Sequence, residues 1–124
     1  MYFQSDLKRY ALDSDRFMIV DTRLCRDCHD FSKDFYAKAY IRWAVENCPE
    51  RLQKFADENY IYGHIIEKVD ECMAEQWKIW KQFCENDSEY RQAVENADTA
   101  KVWQLENAFE LEARQIVLET VVER

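Results

Sequence analysis

Tyr60-Ile61-Tyr62-Gly63-His64-Ile65-Ile66-Glu67-Lys68-Val69-Asp70-Glu71-Cys72-Met73-Ala74-Glu75-Gln76-Trp77-Lys78-Ile79-Trp80-Lys81-Gln82-Phe83-Cys84-Glu85 is the stretch that decides the expected fold. Set out at about 100° per residue, Tyr62, Ile65, Ile66, Val69, Met73, Trp77, Trp80, Phe83 and Cys84 share one broad stripe. Glu67, Glu71, Glu75, Lys78 and Gln82 fall opposite. Roughly seven turns of this pattern mark an amphipathic helix over about 60–85. Gly63 lies near its start, where the helix cost of ~1 kcal/mol does least harm.

Downstream, Asp87 or Ser88 can cap a short helix ending near Ala97. Asp98 or Thr99 can cap a second long one, about 100–123. Its main stripe is Val102, Leu105, Phe109, Ala113, Ile116 and Thr120, and a sparser one carries Leu111, Leu118 and Val122 on the far face. Both faces need covering, by this chain or by another. Upstream, Cys48-Pro49 separates a helix over about 32–47, apolar on two faces, from a short one over about 49–57. Residues 6–31 are the most irregular. One or two short helices are expected there, although the aromatic and β-branched run Phe17–Val20 suits an extended strand. Tyr2-Phe3-Gln4-Ser5 matches the end of a protease-cleavable tag linker, so residues 1–5 are set aside as tag, and 6–124 is read as a single helical domain.

Gly63 and Pro49 are the only glycine and proline in the chain. Tight turns consume these residues, so their scarcity disfavours hairpins. The expected class is all-α: a compact bundle of about four to six helices, two of them long. No stretch nears the ~20 apolar residues that span a bilayer, and no leader is visible. The cysteines Cys25, Cys28, Cys48, Cys72 and Cys84 are odd in number, as reduced thiols in a cytoplasm would be. A cytoplasmic location away from membranes is expected.

The net charge of −8 is unevenly spread: residues 85–123 hold ten acidic and three basic side chains. Phosphate backbones need a positive stripe, so direct nucleic-acid binding is not expected. Acidic helices are most often simply solvated, yet they can draw in a basic partner.

Cys25-Arg26-Asp27-Cys28-His29 has the C-x-x-C-H spacing of haem c attachment, which needs an oxidising compartment. As a zinc site the same three ligands lack a fourth, which Cys48 or His64 could supply only by tertiary accident. His64 falls on the polar face with Glu67, Glu71 and Glu75, a row that reads as solvated. No pair of carboxylates is matched to a nucleophile. No catalytic, cofactor or metal residue is therefore expected, and no enzyme. Trp43, Trp77, Trp80 and Trp103 are plentiful for this length; core packing is their default, with one of them a binding anchor as the minority reading.

Tyr36-Ala37-Lys38-Ala39-Tyr40-Ile41-Arg42-Trp43, Glu46-Asn47-Cys48-Pro49, the segment Tyr60 to His64, Val102-Trp103-Gln104-Leu105-Glu106-Asn107 and Ala113 to Glu119 together resemble the TnpV-like small proteins of bacterial transposons. The family's arginine cluster is reduced here to Lys38 and Arg42, and its proline-rich N-terminal segment is replaced by residues 6–31. The resemblance implies an accessory role on a mobile element and carries over no catalytic residue. The expected function is non-enzymatic protein–protein interaction, self-association into a homodimer included. The residues nominated for contact are Leu111, Leu118, Val122, Glu106, Glu110 and Glu112. Two alternatives stay open: an acidic inhibitor mimicking nucleic acid before a host-defence protein, and a metal or haem protein at the C-x-x-C-H segment.

Overall fold

A computed structural model describes residues 1–124 and corrects the class. The fold is not all-α. Four strands, β1 (Tyr2–Phe3), β2 (Tyr10–Asp13), β3 (Met18–Asp21) and β4 (Arg26–Asp30), form an antiparallel sheet in the order β1-β2-β3-β4. Five helices follow: α1 (Phe35–Asn47), α2 (Pro49–Asp57), α3 (Ile61–Asn86), α4 (Ser88–Glu95) and α5 (Thr99–Val117), the last continued by a π-helical turn over Leu118–Val122. The chain divides into two compact units, Met1–Asp70 with Val122–Arg124, and Glu71–Val121. No helix is long and apolar enough to cross a membrane.

The sheet forms without a glycine in any of its turns. Leu7, Phe17 and Cys25 take positive φ there (67°, 52° and 51°), and Asn59 and Ala97 do so at helix ends. A side chain in this region costs about 1–2 kcal/mol, so something must repay it. Side-chain hydrogen bonds do. Asp21 Oδ1 accepts from the N–H groups of Arg23 (3.0 Å) and Leu24 (3.1 Å), turning the chain between β3 and β4. The Thr22 hydroxyl donates to the carbonyls of Lys8 (2.9 Å) and Arg9 (2.8 Å). Arg16 grips Asp13 at 2.7 Å and both oxygens of Asp27 at 3.1 Å. The Arg9 guanidinium, 2.9 Å from Asp21, holds that buried carboxylate below its usual pKa.

Leu7 is 96% exposed, so its side chain gives nothing back for its strained backbone. Leu7→Gly, and likewise Ala97→Gly, should raise stability by roughly 0.5–1 kcal/mol, the αL relief less the extra entropy of an unfolded glycine. Urea unfolding checks this; a loss of stability in both variants would show that these backbones are not strained.

In the first unit the core comprises Leu12 and Ile19, opposed across β2 and β3, with Phe31, Tyr40, Ile41, Leu52, Ile61 and Ile65, all fully buried. Each such aliphatic side chain is worth about 1.5–3 kcal/mol of burial. α2 packs on β1 and β2, and on α1. Asp34 caps α1 by accepting from the Ala37 N–H, and Pro49 opens α2 where no donor is needed. The sheet ends at β4, whose pairing slips opposite Ile19 and Val20, so that Cys28 is the extra residue of a bulge. With Arg26, Asp27 and Asp30 beside it, that bulge blunts the edge against pairing with another chain.

In the second unit Asp87 and Asp98 cap α4 and α5 through the N–H groups of Tyr90 and Lys101. Cys72, Ala93, Ala113, Val117 and Val121 are buried, but Met73, Trp77, Val94, Trp103 and Leu111 are all more than half exposed. This unit holds eleven acidic and five basic side chains of the chain's 25 and 17. Gly63, near the start of α3, is explained by close approach and not by conformation: a Cβ there would lie 2.6 Å from the Tyr60 ring, whose hydroxyl bonds Glu67.

Candidate functional site

Within the second unit, α3 and α5 enclose an open groove of about 460 Å³. α3 lines it with Met73, Gln76, Trp77 and Trp80, and α5 with Trp103, Glu106, Asn107 and Glu110. Each wall uses positions i, i+3, i+4 and i+7, which share one face of a helix. Trp80 is half-buried and donates its Nε1–H to the Glu106 carbonyl at 3.1 Å. The Glu106 carboxylate accepts from the Tyr90 hydroxyl at 2.7 Å, and that bond pushes the Tyr90 pKa upward. Phe109 packs against Phe83 and Tyr90 with centroids 5.7 and 6.1 Å away. Of these contacts, the Trp80–Glu106 bond ties the two groove walls together.

The rims are open. Trp77 is 59% and Trp103 68% exposed. The Trp77 ring carries the Lys81 ammonium 5.0 Å from its centroid, and Glu110 reaches Arg114 at 3.7 Å. Core packing, the default for these tryptophans, is therefore overturned for Trp77 and Trp103. Periodicity correctly puts Met73, Trp77 and Trp80 on one stripe. The buried side of α3 is instead Ile61, Ile65, Lys68 and Cys72.

The six nominated contact residues separate. Glu106 and Glu110 line the groove. Glu112 lies with Gln82, Phe83 and Phe109 at a shallower hollow on the second unit. Leu111 is 65% exposed, Leu118 is half-buried and Val122 is 2% exposed, so the chain's second apolar stripe is open only at Leu111.

A second cluster, in the first unit, was not legible. His64 does not sit on a solvated face: its ring stacks on Phe55 at 3.9 Å and its Nε2 lies 2.5 Å from the Tyr40 hydroxyl. Burial first, then the charges of Lys68 and Arg51, depress its pKa to about 4, against a smaller opposing pull from Glu67. Burial raises that of Tyr40. With both groups neutral at pH 7, the Tyr40 O–H donates and Nε2 accepts. A base that weak, holding a phenol that reluctant, keeps a proton in place instead of passing it on. Lys68, 8% exposed, sits with its ammonium 5.2 Å from the Tyr40 centroid. Arg51 lies over Trp43 and donates to the Arg124 carbonyl at 2.9 Å.

The C-x-x-C-H residues do not converge on a point. Cys25 is in the β3–β4 turn, with its thiol 3.6 Å from the Thr22 carbonyl, and Cys28 is exposed on β4. His29 turns into an aromatic group, 4.4 Å from Phe31 by centroid and 3.1 Å from the Tyr62 hydroxyl through Nδ1. No three His, Cys, Asp or Glu side chains are placed to share a metal ion. No protein-family model, curated protein or solved structure matches this chain.

Proposed function

We propose that this chain is a binding protein without chemistry of its own, and that the α3–α5 groove holds a basic amphipathic helix of a partner protein. The observation that carries this is the exposure of Trp77 and Trp103, 59% and 68%, on facing walls of a groove that Met73 and Trp80 also line. Leaving two indoles in water is costly, and clustered exposed tryptophans mark binding anchors. The parts still exposed come to roughly 190–320 Å² together, so covering both is worth about 5–8 kcal/mol before the cost of association. Walls spaced i, i+3, i+4, i+7 suit a third helix laid between two. The excess of eleven acidic over five basic side chains on this unit favours a basic one.

The acidic-inhibitor alternative shares the charge argument but makes no use of the exposed indoles, so the groove reading is preferred. A mobile-element setting is compatible with it, and the comparisons lend that setting no support.

A synthetic helical peptide with a leucine face and cationic flanks should quench the tryptophan fluorescence of the intact chain and bind more weakly as salt is raised. Trp77→Ala with Trp103→Ala should weaken binding at least tenfold, about 1.4 kcal/mol, while far-ultraviolet circular dichroism stays unchanged. Binding that ignores this double change in a folded protein would sink the proposal.

A further inference from the structure

We infer that the group the groove selects is the guanidinium of an arginine, an inference that rests on the binding reading above. The lining chemistry points there. Beside the indoles, the polar side chains along the groove are Gln76, Glu106, Asn107 and Glu110, each offering an acceptor oxygen, and no cationic side chain is among the lining residues. Guanidinium is flat, permanently charged and has five N–H donors, so it can lie against an indole face while its edge meets carboxylate and amide oxygens.

A lysine ammonium is more strongly hydrated and has no flat face to stack. A trimethylammonium has no N–H, so it could donate to none of the acceptor oxygens along the groove. It is also best held where aromatic rings surround it, whereas this groove is open and Trp77 and Trp103 are mostly solvent-facing. That an indole here attracts a cation is already visible in Lys81, 5.0 Å from the Trp77 centroid.

The test uses the intact chain and three helical peptides that differ only in carrying arginine, lysine or trimethyl-lysine at the flanking positions, with affinities read by calorimetry. Arginine should bind at least tenfold tighter than either other form. Trp77→Leu with Trp103→Leu keeps the rims apolar but removes their π faces, and should reduce that preference to near parity. Glu110→Gln should narrow it as well. Equal binding of the arginine and lysine peptides, or tighter binding of trimethyl-lysine, would overturn the guanidinium inference while leaving the groove reading standing. Failure of all three peptides to bind would overturn both.

Discussion

Phe3→Ala should destabilise the sheet by about 3–4 kcal/mol, the usual cost of emptying a buried phenylalanine site. Phe3 is 3% exposed and pairs with Leu12, itself fully buried. The sequence sets residues 1–5 aside as tag, yet whatever their origin they are tied into the fold at several points. The Met1 carbonyl accepts from both the N–H and the hydroxyl of Ser14, each at 2.9 Å. The Gln4 carbonyl accepts from Gln53 Nε2 at 2.8 Å, joining this segment to α2. Neighbouring Tyr2, 45% exposed, is the internal control: Tyr2→Ala should change stability by about 0.5 kcal/mol or less. Urea unfolding of the three proteins decides the matter. Equal, small effects at both positions would mean that β1 contributes nothing and the first five residues can be discarded.

The helices were legible because their signals are local. Pro49, Asp87 and Asp98 mark helix starts by chemistry that acts within one turn, and the stripe from Tyr62 to Cys84 repeats often enough to outvote any single residue. The sheet was hidden by a correct rule applied to turns that break it. Hairpins ordinarily need glycine for positive φ, but here Leu7, Phe17 and Cys25 accept that conformation. The compensation comes from Asp21, Thr22 and Arg16, whose bonds reach residues up to fourteen positions away. Nothing local announces them. The groove was half legible for a related reason. Periodicity shows which side chains share a face, not whether the face is covered, so Trp77 reads as core until α3 is seen to bury Ile65, Lys68 and Cys72 instead. Glu106 and Glu110 were nominated from charge, and they stand beside the indoles that charge could not place.

Acidification should unfold the protein earlier than its carboxylates alone would cause, and His64 is the reason. Its pKa is about 4 in the fold against 6.5 for the free side chain. Between those values the unfolded chain holds a proton on this ring and the folded chain does not, so protons favour unfolding. The contribution of neutral His64 is therefore fully present above pH 6.5 and is lost as pH falls toward 4, below which both states are protonated. Each pKa unit is worth ~1.4 kcal/mol. With some solvent reaching the half-buried ring, the total loss should be about 2 kcal/mol. The causes surround the ring: burial, with Phe55 stacked on it, then the positive charges of Lys68 and Arg51, partly offset by Glu67. His64→Gln keeps an acceptor for Tyr40 and removes the titration. Urea unfolding of this variant should be nearly flat between pH 6.5 and 4.5, where the parent steadily weakens. Asp13, Asp21 and Asp30, held below their ordinary values by Arg16, Arg9 and Ser32, act in a different window. Their stabilisation persists down to the unfolded carboxylate range and fails only below about pH 4, in parent and variant alike. Parallel pH profiles for the two proteins above pH 4.5 would mean that His64 is protonated in the fold, and that the Tyr40 hydroxyl does not donate to it.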